Sequence, residues 1–122
     1  MTEEMLTKLL KGVQKPGRYT GGELNSVIKD KSKTDVRFAF CFPDTYEIGM
    51  SHLGMKILYS LINSMDGFWC ERVFAPWVDM EKNMRDNNVG TFALESLDDI
   101  CEFDVIGFTL QYELCFTNML NM

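Results

Sequence analysis

Residues 36–42, Val-Arg-Phe-Ala-Phe-Cys-Phe, form an almost wholly apolar, aromatic-rich run that stops at Pro43. Proline cannot donate to a sheet ladder, so the strand is not expected to run past it. An uninterrupted apolar stretch of this length reads as a strand buried on both faces, the kind found in parallel sheets. A polar turn with Gly49 follows, then Ser51, a good helix N-cap. Beyond it Gly54, Ile57, Leu58, Leu61, Ile62 and Met65 recur at three- and four-residue spacing, one face of an amphipathic helix. Phe38, Phe40, Ile57, Leu58 and Leu61 are therefore the expected core. Strand, turn and helix open a nucleotide- or cofactor-binding α/β domain, in which ligands sit outside the carboxyl ends of the strands. A small ligand is expected at residues 43–49.

The rest of the chain repeats this unit. Thr2 is placed to cap a first helix whose apolar side is Leu6, Leu9, Leu10 and Val13, ended by Lys15-Pro16-Gly17. The Gly21-Gly22 segment fits a turn, a strap for another domain or a phosphate-cradling loop, and its spacing matches neither the Walker nor the dinucleotide fingerprint. Val27 to Asp35 reads as a solvated charge run. Residues 69–75 are a second strand, followed by a helix carrying Trp77, Met80 and Met84. Residues 91–94 read as a short third strand, Asp98 and Asp99 as solvated caps, and 104–110 as a last apolar strand before helical spacing resumes at Tyr112. Trp69 and Trp77 are expected to pack between sheet and helix, and the scattered methionines to fill core. The predicted fold is α/β: three layers on a mostly parallel, flavodoxin-like sheet, strand order 3-2-1-4, truncated. Residues 1–35 form an N-terminal helix and Gly-rich strap, and 36–122 a truncated Rossmann-like domain. The switch point falls between 36–42 and 104–110.

Charge and composition narrow the function. The formal charge of −6 offers no basic stripe for phosphate contacts, which argues against a nucleic-acid partner. No apolar run approaches the ~20 residues of a membrane span. The four cysteines, at 41, 70, 101 and 115, are far apart and lack Cys-x-x-Cys pairing, as expected of thiols in a reducing cytoplasm. His52, in the first turn of the main helix, reads either as a helix-start hydrogen-bonding residue or as a ligand.

Four separated segments carry a resemblance. These are Arg18-Tyr19-Thr20-Gly21-Gly22-Glu23, the run from Pro43 to Gly54, Glu71-Arg72-Val73-Phe74-Ala75-Pro76-Trp77, and Gly107-Phe108-Thr109-Leu110-Gln111-Tyr112-Glu113-Leu114. They are similar, in the same order, to the N-terminal region of a family of radical S-adenosylmethionine proteins, in which a cobalamin-binding-like domain precedes the radical barrel. Asp44-Thr45-Tyr46-Glu47-Ile48-Gly49 resembles the Asp-x-His-x-x-Gly loop of cobalamin domains, with Tyr46 at the histidine position. Thr109 matches a Ser/Thr that contacts the cobalamin nucleotide tail. The resemblance implies Asp44, Tyr46, Glu47, Gly49, His52 and Thr109 as cofactor-binding residues, with cobalamin as the implied ligand. It also implies a [4Fe–4S] cluster and S-adenosylmethionine in the parent enzyme, while this segment is not itself catalytic. The cluster's Cys-x-x-x-Cys-x-x-Cys is not in the chain. Neither is the second glycine loop of cobalamin domains, and a tyrosine ligates cobalt only after losing a proton of pKa near 10. The reading is a truncated accessory domain that docks on a radical barrel, with self-association through the uncovered strand 104–110. The alternative is a free-standing flavodoxin-like module using the same loop for a flavin or nucleotide phosphate.

Overall fold

The computed structural model describes residues 1–122. Strand β1 (Val36–Phe42) is the centre of a three-stranded, all-parallel open sheet, with β2 (Phe68–Phe74) on one side and β3 (Val105–Phe108) on the other. The aromatic run is apolar on both sides because both sides are covered. Phe40 and Phe42 face Met55 and Tyr59, while Ala39 and Cys41 face Val73, Ala93, Ile100 and Phe103. Helices α2 (Tyr46–Ser51) and α3 (Leu53–Asn63) carry the chain from β1 to β2. Helix α4 (Val78–Asp86) packs with α1 (Glu3–Leu9) through Leu6, Leu9, Met80 and Met84, and α5 (Cys115–Asn121) follows β3. The architecture is a three-layer, flavodoxin-like α/β fold on three parallel strands. Thr2 caps α1 as expected, its Oγ1 accepting from Met5 N.

Several expectations are corrected. Residues 91–94 do not form a strand: Phe92 makes one antiparallel bridge to Asp99, and Leu94 N donates to Arg72 O at 2.8 Å. The sheet order is thus 2-1-3 in chain order, with 91–94 beside β2 but not in the ladder. Ser51 is the last residue of α2, and His52 is the cap that starts α3. The inward face of α3 is Met55 and Tyr59, with Ile57, Leu58 and Leu61 exposed and Phe38 only half-buried. Both sides of this helix are apolar, so spacing alone could not say which faces the sheet. Asp98 is buried against Arg37 and Lys31 rather than solvated, whereas Asp99 does cap a helical turn. Residues 27–35 are tied down: Lys29 Nζ donates to the carbonyls of Asn63 and Phe68, and Trp69 Nε1 to Val27 O. Trp69 is buried as expected, but Trp77 is half-exposed beneath Arg18.

Candidate functional site

The loop after β1 holds the residues that the resemblance singles out, and each is engaged within the chain. Asp44 accepts from Thr45 N at 2.7 Å and from the Tyr112 hydroxyl. Asn118 Nδ2 donates to Pro43 O at 3.0 Å. The segment after β3 therefore lies across the carboxyl end of β1, at the switch point itself. Thr109 N donates to Cys41 O, and its hydroxyl accepts from Gln111 Nε2. A carboxylate already sits on the Thr45 amide, which is where the start of α2 would otherwise meet a phosphate.

On the other side of the loop the same residues clasp the N-terminal strap. Glu47 pairs with Arg18 at 2.9 Å and Lys15 at 3.1 Å. Partial burial pushes its carboxyl up, but the hydrogen bonds outweigh this and hold it at about 2. Tyr46 donates its hydroxyl to Glu23 Oε1 at 2.7 Å. Burial, then the Glu23 carboxylate, push that phenol up to about 12, so it stays protonated at neutral pH and is committed to Glu23. Gly49 is packed under the rings of Phe74 and Phe42; a Cβ there would lie 2.3 Å from Phe74 Cε1. His52 accepts from Met55 N through Nδ1 at 3.2 Å and leans on the Phe42 ring at 5.5 Å. It acts as a helix cap. Lower ligation of a corrinoid therefore does not fit the residues present.

The structure adds a polar centre that the sequence reading did not single out. Arg72 points from β2 toward α2 and the strap. Its Nε donates to Glu95 Oε1 at 2.5 Å, and Nη2 donates to Glu23 Oε2 at 2.8 Å and Ser26 Oγ at 2.9 Å. Glu95, whose side chain is fully buried, also accepts from Arg72 N at 2.7 Å and from the Tyr59 hydroxyl at 3.0 Å. Tyr59 in turn accepts from Val27 N at 2.7 Å. On the opposite face Glu71 accepts from Arg37 Nη2 at 2.5 Å and from Ser96 N at 3.0 Å. Strap, helix, strand and the 94–96 segment meet at buried Arg72. The signal was present in the sequence: Glu71-Arg72 is a charged pair inside an apolar strand, and buried charges need partners.

No three His, Cys, Asp or Glu side chains come together as a metal group, and all four cysteines are free. No helix is long and apolar enough to cross a membrane. No curated protein and no solved structure matches the chain. The family described as "Radical SAM proteins, N-terminal" matches residues 54–122, from α3 to α5, which is more than half of the chain. With the switch point closed by its own residues and the strap clasped across α2, the chain belongs to the N-terminal family of radical SAM proteins.

Proposed function

We propose that this domain is an accessory module that docks on the [4Fe–4S] barrel of a radical SAM enzyme through the outer face of α3. The observation that carries it is the two-sided apolar character of that helix. Met55 and Tyr59 face the sheet, while Leu53, Ile57 and Leu61 stand 69%, 56% and 56% exposed at four-residue spacing. A helix apolar on both sides is one meant to be covered on both, and such a stripe is the usual mark of an interface. The family match supports a barrel as the occupant, since it places α3 inside the N-terminal region of radical SAM proteins.

In this reading the domain is not itself catalytic. The cluster and S-adenosylmethionine belong to the barrel, and this chain's residues supply a rigid surface. A corrinoid at the switch point is not part of the proposal, because Tyr46 and His52 are committed to Glu23 and to the start of α3. The cytoplasm is the proposed compartment, supported by free thiols at Cys41 and Cys70 that burial pushes up to about 12. The test is Leu61→Glu in the isolated domain and in a polypeptide joining it to its barrel. The isolated domain should lose less than about 0.5 kcal/mol, as surface changes do. In the joined protein the α3 amides should exchange faster with solvent in the variant than in the wild type. Equal exchange in domain and joined protein would overturn the docking surface.

A further inference from the structure

A cavity of about 780 Å3 lies between the strap and α3. This is within the range of small-molecule sites, roughly 300–1,000 Å3. Met50, Met55 and Val27 give it an apolar lining, which buried Arg72 and Tyr59 and exposed Lys56 and Ser60 share.

The donors lining this space are not all used. Arg72 is 7% exposed, and carboxylates and Ser26 occupy its Nε and Nη2. Its Nη1 has only the Met50 thioether, at 3.2 Å. A thioether is a weak acceptor, so a buried guanidinium nitrogen is left with donor capacity. No carboxylate of the chain pairs with Lys56. Glu23 lines the same space and carries a negative charge at neutral pH. It limits the charge an incoming group can bring, favouring one negative charge over two.

We propose that this cavity binds a small monocarboxylate with an apolar body. The carboxylate accepts from Lys56 Nζ and Arg72 Nη1, and the apolar body lies on Met50 and Met55. The site borders the outer face of α3 but does not depend on docking there.

The test is a titration of the full 122-residue chain with hexanoate, followed by amide chemical shifts. Saturable shifts are expected at Ser26, Val27, Lys56 and Ser60. Lys56→Gln should weaken binding about tenfold or more, the size of one charge-assisted hydrogen bond. Ser60→Leu, which fills part of the space, should weaken it as well. Both positions are exposed, so both variants are expected to melt as the wild type does. Inorganic phosphate at about pH 8, mostly a dianion, should give no saturable shift at these residues. The proposal is overturned if hexanoate leaves these amides unmoved, if Lys56→Gln binds as the wild type does, or if phosphate binds as tightly as hexanoate.

Discussion

The two edges of the sheet are closed in opposite ways. Along β2 the 94–96 segment substitutes for a strand. Leu94 N reaches Arg72 O, the Glu95 carboxylate takes Arg72 N, and Ser96 N reaches the Glu71 carboxylate. Side-chain oxygens thus stand in for the carbonyls of a ladder, and the edge cannot recruit another chain. Along β3 no segment of the chain pairs, and Val105 and Ile106 are 41% and 42% exposed. The N-terminal helix does not cover this edge; it lies on α4. An apolar edge with unpaired backbone groups is a template for association. The contrast teaches that a charged pair inside a strand can mark a sealed edge, and an apolar strand an unsealed one.

The largest expected effect comes from breaking the seal. Glu95→Ala leaves the Arg72 guanidinium and amide short of their acceptor, and should cost about 3–5 kcal/mol in chemical denaturation. A loss below about 1 kcal/mol would mean the carboxylate does not hold that edge.

The strap side of the same arginine gives a pH signature. Burial pushes the Glu23 carboxyl up, but hydrogen bonds from Tyr46, Ser26 and Arg72 outweigh it and bring it from an ordinary 4.5 down to about 2. A depressed native pKa means that the contribution is fully present above about pH 4.5 and is lost as pH falls toward 2. Wild type should therefore lose about 2 kcal/mol relative to Glu23→Gln across that window, after allowance for the partial exposure of the group. Parallel stability curves for the two would break the assignment.

Gly21 sharpens the comparison further. It sits at φ 60°, and a Cβ there would meet Leu94 O at 2.7 Å, so the strap closes on the very segment that seals β2. Gly21→Ala should cost about 1–3 kcal/mol from strain, plus the displaced contact. Gly22, at φ 83° with open space around it, should cost only its strain, about 1–2 kcal/mol. Equal costs at the two positions would mean that Leu94 yields freely.

The smallest effect on stability is expected at the open edge. Ile106→Lys should change folding stability by under about 0.5 kcal/mol. The wild-type chain should self-associate through β3 as concentration rises, with Ile106→Lys staying monomeric in sedimentation. A wild type that remains monomeric throughout, or a variant that associates equally, would show that the exposed edge is not the contact.

Much of the frame was readable from composition along the chain. The aromatic run closed by Pro43 determined a central buried strand, and its repeats, read at 69–75 and 104–110 and found at 68–74 and 105–108, determined its two neighbours and the parallel order. Local signals of this kind suffice because a strand covered on both faces has one composition wherever it occurs. The cap at Thr2 was equally local.

Tertiary structure decided what periodicity leaves ambiguous. Helix α3 carries apolar residues on two faces, and only the position of the sheet selects Met55 and Tyr59 over Ile57, Leu58 and Leu61. Residues 91–94 have strand composition, yet carboxylates from Glu71 and Glu95 take hydrogen bonds that a ladder would have used. The loop residues Asp44, Tyr46, Glu47 and His52 were implied as ligands by the family resemblance of the loop. Their partners, Tyr112, Glu23, Arg18 and the α3 backbone, lie 68, 23, 29 and three residues away in the chain. All but the last are too distant for spacing to report. A side chain's chemistry is written in the sequence, but whether that chemistry is spent on the fold or left for a ligand depends on which distant groups the fold brings to it.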